Sequence, residues 1–179
     1  MLRLSLLRHA KSSWKNPGMA DIDRSLSSRG RVAAPVMGDA IAERGMVPDL
    51  VLCSSARRTR ETLDLASQAW EPPPAVEYRE ELYHAAPDTL LDIVREQMPE
   101  TKHLMLIGHN PGFHLFGFDL IGRGPKHARE RLGEKFPTCG LLVADFAVGE
   151  WADIRYGTGE LSLFLVPADL GLTPSPIDP

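Results

Sequence analysis

The chain has 179 residues, enough for one domain with a sizeable hydrophobic core. Its 43% hydrophobic and 25% charged residues are typical of a globular protein, and its net charge of −4 lacks the basic footprint of a nucleic-acid binder. No apolar run reaches the ~20 residues of a membrane span, and no small-residue cleavage site follows the apolar start. We therefore expect neither a membrane segment nor a signal peptide.

The first predicted element is a buried strand at the start of the chain. It is indicated by alternating and then continuous leucines, Leu2, Leu4, Leu6 and Leu7. Arg8 and His9 follow at once, and short residues come after them in LRHAKSSW. An arginine beside a histidine at the carboxyl end of a strand is poorly suited to a core. It suits an anion site, because open α/β sheets place their crevice there.

Loops, helices and strands alternate in the next part of the chain. After a loop over Lys15–Ser25, either Ser27 or Ser28 is expected to cap a helix that Gly45 ends. Pro35 either kinks this helix or marks where its regular part begins. The next predicted elements are a strand over Asp49–Cys53, a helix capped at Ser54–Ser55 and running to Gln68, a turn over Glu71–Pro74 and a strand over Ala75–Tyr78.

The remaining part contains two further helices and is then rich in strands. We predict an amphipathic helix over Pro87–Met98, an apolar strand over His103–Ile107, a helix over Phe113–Ile121, a partly helical stretch over Gly122–Glu134, and strands over Gly140–Phe146, Trp151–Tyr156 and Glu160–Val166. The alternation predicts the α/β class, as a three-layer α/β/α sandwich with a mainly parallel central sheet. It forms one domain over residues 1–168, followed by a proline-rich and poorly ordered tail over residues 169–179.

Polar residues follow three of the predicted strands. They are Arg8 and His9, the segment from Ser54 to Arg58, and His109 with Asn110. Each of these, taken alone, is more simply a surface residue in a loop. If the three strands are neighbours in a parallel sheet, however, their carboxyl ends converge and bring two histidines and two arginines into one crevice.

The helix after the second strand begins with an unusual concentration of positive charge. Arg57, Arg58 and Arg60 lie in its first two turns, where cations oppose the helix dipole at roughly 0.3–1 kcal/mol each when exposed. A bound anion would turn this penalty into a benefit, since helix amino ends and guanidinium groups both favour phosphate. For Arg57 and Arg60 the alternative is a solvated basic patch answered by nearby carboxylates.

The chain contains three characteristic segments, LRHAKSSW, CSSARRTRET and LIGHNPG. Together they resemble the motifs of the histidine phosphatase superfamily, whose members share the phosphoglycerate-mutase-like fold. The resemblance is strongest to the short phosphohistidine phosphatases of the SixA type. Three further segments also match that branch, DIDRSLSSRG, LYHAAPDTLLDIV and FPTCGLLVADF, so the resemblance covers nearly the whole chain.

The resemblance implies roles for four residues. His9 is similar to the nucleophile that takes the phosphoryl group, Arg8 and Arg58 to the two phosphate ligands, and His109 to the second histidine that hydrogen-bonds the phosphoryl oxygens. The nucleophile must be neutral, and the charges of the two arginines should disfavour its protonation. A backbone carbonyl is expected to hold its tautomer. The family needs no metal or other cofactor.

The arginine motif matches the family pattern S-P-x-x-R-A-x-x-T in one register only. That register assigns the phosphate ligand to Arg58 rather than Arg57, with Ser55 in the place of the family's proline and Thr59 in the place of its alanine. If the register is correct, only the second of the two adjacent arginines belongs to the site.

The general acid is where this chain departs from better-known relatives, many of which carry a carboxylic acid after the segment corresponding to Leu82–Tyr83. Here that position holds His84, and Glu81 lies three residues earlier. Three interpretations stay open: His84 has taken over the role, Glu81 reaches in, or there is no dedicated acid. The plainest reading, that Glu80, Glu81 and His84 are ordinary loop residues, is equally open.

Other histidines and arginines are interpreted as structural. His103 begins a strand, His114 lies in an apolar helix and His127 lies among charges. Arg24 and Arg29, within DIDRSLSSRG, are expected to be pairing residues rather than catalytic ones.

These features predict a phosphatase that works through a phosphohistidine intermediate, with phosphohistidine on a protein as the favoured substrate and inorganic phosphate as the product. Small phosphate esters are the alternative substrates, and a catalytically idle phosphate-binding or interaction module is a third possibility. A mutase is disfavoured, because only one helix and one strand separate Tyr83 from His109. Cys53 and Cys139 are far apart and read as free thiols, which favours the cytoplasm. We expect a monomer without a nucleic-acid or membrane partner.

Overall fold

The computed structural model of the chain describes residues 1–173. The strands in this range are β1 (Leu2–Arg8), β2 (Leu50–Ser54), β3 (Ala75–Arg79), β4 (His103–Gly108), β5 (Ile121–Arg123), β6 (Leu141–Phe146) and β7 (Gly159–Leu165). The α-helices are α1 (Ser28–Glu43), α2 (Arg57–Ala66), α3 (Pro87–Arg95), α4 (Gly112–Leu120) and α5 (Lys126–Glu134). Short 3₁₀ helices cover Asp21–Asp23, Ser67–Ala69, Glu80–Leu82, Trp151–Asp153 and Pro167–Leu170.

The strands form one mixed sheet in the order β3-β2-β4-β1-β6-β7-β5. The half from β3 to β1 is parallel throughout, whereas β6 runs antiparallel to both β1 and β7, and β5 is parallel to β7. The predicted α/β class with a mainly parallel central sheet is confirmed. Because β1, β2 and β4 are parallel neighbours, their carboxyl ends lie at the same edge of the sheet.

Helices cover both faces of the sheet and divide the core into two clusters. One cluster packs the apolar sides of α3, α4 and α5 against the sheet, and the other packs α1 and α2 against its opposite face. The pleat of β1 contributes to both: Leu2, Leu4 and Leu6 lie in the first cluster and Leu7 in the second, all fully or almost fully buried. This arrangement is the predicted three-layer sandwich.

The first helix is capped by Ser27, one of the two predicted candidates. Its hydroxyl accepts a hydrogen bond from the backbone N–H of Gly30 at 3.2 Å. The helix continues through Pro35 to Glu43. Gly45 then adopts a φ of +63°, which glycine tolerates without steric cost, so its predicted role at the end of this helix is confirmed.

The predicted strand over Trp151–Tyr156 is wrong, because residues 151–153 form a 3₁₀ helix instead. Trp151 and Ile154 are buried and the two residues between them are exposed, a spacing of three that fits a 3₁₀ turn and not the two-residue period of a strand. The indole N–H of Trp151 donates to the Thr101 carbonyl at 2.8 Å, which anchors the turn.

Several other boundaries also differ from the predictions. The predicted helix at Pro87–Met98 ends at Arg95, and the helix predicted to reach Gln68 gives way to a 3₁₀ turn after Ala66. The short strand β5 was not predicted, since it begins at Ile121, the last residue assigned to the preceding helix.

The predicted tail, residues 169–179, is described only in part. Pro167–Leu170 forms a 3₁₀ helix, and the Asp169 carboxylate accepts a hydrogen bond from Arg131 at 2.8 Å. Residues 174–179 lie outside the described range, so the predicted poor order of the tail stays a prediction there. Over residues 1–173, no helix combines the length and the apolar character needed to cross a bilayer.

The contact between α1 and α2 depends on the absence of a side chain at Gly38. A Cβ atom there would lie 2.0 Å from the carbonyl oxygen of Ala66, the last residue of α2, so the helices would have to move apart. We expect Gly38→Ala to lower the free energy of unfolding by about 1–3 kcal/mol, as overpacking usually does, in urea denaturation. Gly149→Ala is the matched control, because nothing lies within 4 Å of its Cβ position. Equal losses in the two variants would contradict this account.

Candidate active site

The carboxyl ends of the parallel strands open into a cavity of about 590 Å³. It is lined by residues that follow these strands and by a loop that folds over them: Arg8, His9, Lys11, Ser12, Trp14, Asp21, Arg58, His84 and Thr138. His109 is 3% exposed and contacts Arg58 next to this cavity. The structure therefore brings together His9, Arg8, Arg58 and His109, the four residues to which the sequence assigned roles.

His9 is held by both its backbone and its ring. Its N–H donates to the Gly108 carbonyl at 3.1 Å, and its carbonyl accepts from the N–H of Cys139 at 2.9 Å. Its ring Nδ1 lies 2.7 Å from the carbonyl oxygen of Ala10. A carbonyl oxygen can only accept, so Nδ1 carries the proton and Nε2 presents a lone pair. The expected backbone carbonyl that holds the tautomer is thus that of Ala10.

The surroundings of His9 keep its ring neutral. Burial is the largest effect and lowers the pKa, because it disfavours the charged imidazolium. The hydrogen bond to Ala10 acts in the opposite direction, while the charges of Arg8 and Arg58 lower the pKa further. The net result is a pKa of about 3, so the ring is neutral over the physiological pH range.

Arg8 contributes a fixed positive charge beside His9. Its Nη1 donates to the Phe136 carbonyl at 2.9 Å, while its buried Nε has no hydrogen-bond partner among the described residues. Burial, and then the charge of Arg58, lower the pKa of Arg8 to about 10, which leaves it protonated at neutral pH. A guanidinium held in this way is prepared to bind an anion.

Arg58 is the second cation of the site and contacts His109 directly. It is 4% exposed, and its Nη2 lies 3.2 Å from Nδ1 of His109. Because a guanidinium only donates, Nδ1 accepts and the proton of the neutral ring lies on Nε2, which donates to the Ser54 hydroxyl at 2.7 Å. Burial and the charges around it lower the pKa of His109 to about 2. The rings of His9 and His109 are 5.3 Å apart, centroid to centroid.

Arg57, the adjacent arginine, points away from the site. It is exposed and forms an i,i+4 ion pair with Glu61 at 2.9 Å. Arg60 stacks on the ring of Tyr78 at 4.4 Å. The placement of Arg58 in the site, with Arg57 and Arg60 outside it, agrees with the register read from the motif.

The start of α2 differs from the predicted serine cap. The residue before the helix is Ala56, which offers no side-chain cap, so the predicted capping role of Ser55 is wrong. Ser54 still belongs to β2, and its hydroxyl receives the His109 N–H and lies 3.4 Å from the Ala56 N–H. The serine thus serves the site as well as the helix start.

Asp21 is a member of this cluster that the sequence analysis did not identify. It lies in the 3₁₀ helix of the loop after β1, and its Oδ2 accepts hydrogen bonds from Arg58 at 3.0 Å, from the Tyr83 hydroxyl and from His84 at 3.2 Å. Burial raises the pKa of its carboxyl group, but the hydrogen bonds and the charge of Arg58 outweigh it and lower the pKa below the usual range. The only signal for it in the sequence is its place at the start of DIDRSLSSRG, a segment that matches the SixA branch.

The two candidates for the general acid are placed differently. His84 lines the cavity, and its φ of +51° puts a residue other than glycine in the left-handed region, which is costly and is often found at functional sites. Glu81 is exposed, pairs with Arg79 at 3.5 Å and is not among the residues that line the cavity. The structure therefore places His84, and not Glu81, at the cavity that His9 and Arg58 also line.

The histidines interpreted as structural have partners outside the cavity, whereas Arg24 borders it. His103 hydrogen-bonds the Ser5 hydroxyl at 2.8 Å, and His114 donates to the Leu132 carbonyl at 2.6 Å. Arg24 is buried against the ring of Trp14 at 4.0 Å. Across residues 1–173, no group of three or more histidine, cysteine or carboxylate side chains is placed to hold a metal ion.

Comparison with known proteins assigns the chain to a family. The model of the histidine phosphatase superfamily (branch 1) matches residues 4–134. An uncharacterised protein of Mycobacterium tuberculosis, Rv1276c, is 37% identical over 163 residues, which is 90% of this chain and 99% of its own length. A 2,3-bisphosphoglycerate-dependent phosphoglycerate mutase of Nocardioides is 39% identical, but only over 38% of this chain and 30% of the mutase.

Solved structures agree with this assignment. A SixA protein from Agrobacterium tumefaciens, assigned as a phosphohistidine phosphatase, is 34% identical and superposes with a TM-score of 0.79 over 93% of this chain and 98% of its own. The protein histidine phosphatase SixA in complex with tungstate superposes with a TM-score of 0.71 over 94% of this chain and 99% of its own. At 17% identity, this second likeness shows the fold alone.

The two adjacent arginines give a matched pair of variants for testing the anion site. Arg58→Ala should raise the Kd for inorganic phosphate about ten- to a hundredfold, the usual effect of removing hydrogen bonds to a charged group. Arg57→Ala should leave the Kd unchanged, because Arg57 is exposed and pairs with Glu61. Isothermal titration calorimetry measures both values, and circular dichroism checks that each variant is folded. The opposite order of effects would show that the register is wrong by one residue.

Proposed function

The chain belongs to the histidine phosphatase superfamily, and we propose that it removes phosphoryl groups from phosphohistidine on proteins through an intermediate on His9. One observation carries this proposal: a buried and neutral imidazole presents its Nε2 lone pair beside two guanidinium groups. A neutral imidazole is a nucleophile, and the guanidinium groups bind the anion that it attacks.

In the first step, the lone pair of His9 Nε2 attacks the phosphorus atom. The bond between phosphorus and the leaving group breaks, and its electron pair departs with the leaving group. Arg8 and Arg58 stabilise the charge on the equatorial oxygens as the phosphoryl group is transferred. The hydrogen bond from Nδ1 to the Ala10 carbonyl stabilises the positive charge that the ring acquires.

In the second step, water attacks the phosphorus of the phosphohistidine enzyme. The bond from phosphorus to Nε2 breaks, its electron pair returns to His9, and inorganic phosphate leaves with the water oxygen. His109 contributes by donating to a phosphoryl oxygen in this proposal. The negative charge of the bound phosphate would favour a second proton on its ring, and Nδ1 would then exchange the N–H of Arg58 for a phosphoryl oxygen.

The openness of the cavity supports the proposal that the substrate phosphoryl group is carried by a protein. Between Tyr83 and His109 the chain has only α3 and β4, so no long inserted segment lies there to enclose a metabolite. Trp14 and His84 line the cavity and are largely exposed, at 64% for Trp14 and 51% for the His84 side chain. The SixA protein of Agrobacterium, which is 34% identical, is assigned to the same activity. In this proposal the enzyme is a monomer that acts in the cytoplasm. The cytoplasmic location is supported by its two cysteines, which are buried as free thiols.

A side-by-side panel of substrates tests the proposal. We expect the enzyme to hydrolyse a phosphohistidine-containing protein and p-nitrophenyl phosphate, and to turn over alkyl and sugar phosphates roughly 10²–10⁴-fold more slowly. An alkoxide needs a proton from a general acid as it leaves, whereas neutral imidazole and p-nitrophenolate need it little. Equal rates on sugar phosphates and phosphohistidine would instead favour the small-molecule phosphatase.

The same panel identifies the nucleophile. His9→Ala should abolish both turnover and the acid-labile phosphoenzyme, since it removes the attacking nitrogen but little packing. His127→Ala is the matched control, because His127 is exposed on α5 and should leave both readouts intact. An acid-labile phosphoenzyme that survives in His9→Ala would mean that another residue is attacked.

A further inference from the structure

A carboxylate beside the cationic centre is unexpected in a site for phosphate. Asp21 lines the same cavity as Arg8, His9 and Arg58, and its side chain is 42% exposed. Its negative charge repels a phosphate dianion at close range. A negative charge next to the phosphoryl site is therefore better explained by an interaction with the leaving group, the part of the substrate that departs from phosphorus.

The two oxygens of this carboxylate are used differently. Oδ2 receives all three donors, which are Arg58, Tyr83 and His84. No hydrogen bond from a described residue reaches Oδ1, and Nε of Arg24 lies 3.7 Å from it. The donors on Oδ2 orient the group, and Oδ1 keeps its capacity to accept a hydrogen bond.

The chemistry of an ionised carboxylate restricts what this oxygen can do. It accepts hydrogen bonds and favours nearby positive charge, but it has no proton to give to a departing alkoxide. The pKa of Asp21 is lowered by its donors and by the charge of Arg58, despite partial burial, which keeps the group ionised. The leaving group that it stabilises is one that carries an N–H.

We propose that Asp21 is a specificity-determining residue that selects phosphoryl groups bonded to nitrogen, by accepting through Oδ1 the N–H of the departing ring. This inference rests on the proposed function and extends it to the class of phosphoramidates. As His9 Nε2 bonds to phosphorus, the P–N bond of the substrate breaks and its electron pair stays on the ring nitrogen. The second nitrogen of that ring keeps its proton, so the ring leaves as neutral imidazole.

The carboxylate also acts before the bond breaks. A phosphorylated imidazole leaves readily only when its other nitrogen is protonated, and in that form the ring is positively charged. An anion beside it favours this form. An oxygen-linked leaving group such as p-nitrophenolate has no N–H and departs with negative charge, so it gains nothing from Asp21.

Asp21→Asn is the variant that separates charge from positioning. The amide oxygen can still accept from Arg58 and Tyr83, but the negative charge is lost. We expect kcat/KM for N-phosphoimidazole to fall about ten- to a hundredfold more than kcat/KM for p-nitrophenyl phosphate, the scale of a hydrogen bond to a charged group. Asp23→Asn is the matched control, because Asp23 lies exposed on the same 3₁₀ helix. This variant should leave the ratio of the two kcat/KM values unchanged.

The ratio also separates this proposal from a purely structural role. If Asp21 only positioned Arg58, kcat/KM for the two substrates would fall by the same factor, so their ratio would not move, and that result would overturn the proposal. The phosphoenzyme assay with wild-type protein tests the proposed function independently. If the His9 phosphoenzyme forms but the ratio does not move, only the proposed role of Asp21 is refuted. If neither substrate gives a phosphoenzyme, the proposed function is refuted as well.

Discussion

The site depends on one hydrogen bond, from Nδ1 of His9 to the carbonyl oxygen of Ala10. This contact fixes the proton on the nitrogen that faces the protein and leaves a lone pair on Nε2, the atom that we propose as the nucleophile. Burial and two neighbouring guanidinium groups keep the ring neutral, with a pKa of about 3. In the proposed mechanism the same guanidinium groups attract the phosphoryl group, so the features that keep the ring free of a second proton also bind the group that it attacks.

The sheet supplies the rigidity that this contact needs. His9 follows β1 directly and is bonded through its backbone to the end of β4 on one side and to Cys139, just before β6, on the other. Arg58 reaches the same point from the first turn of α2, because β2 is parallel to β4 and ends at the same edge of the sheet. Asp21 then links Arg58 to Tyr83 and His84, which lie on a different loop.

Much of the site could be predicted because its residues follow apolar strands in the sequence. His9, Arg58 and His109 each come directly after such a run or within a few residues of it, and parallel strands bring these positions together. Asp21 could not be predicted in this way, since it lies in the middle of the long loop after β1 and its partner Tyr83 is 62 residues away. The segment after β6 was mistaken for a strand because its apolar residues recur every three positions, a spacing that periodicity over so few residues does not resolve.

The central claim is that His9 is a neutral nucleophile with its proton on Nδ1, and nitrogen-15 NMR of the histidine rings tests it most directly. The His9 signals, assigned by their loss in His9→Ala, should show the neutral Nδ1–H tautomer from pH 8 down to about pH 5. The ring should stay neutral over this range because its pKa is about 3, and protonation begins only as the pH approaches that value. Titration of His9 near the ordinary histidine pKa of about 6.5, or a proton on Nε2, would contradict the account.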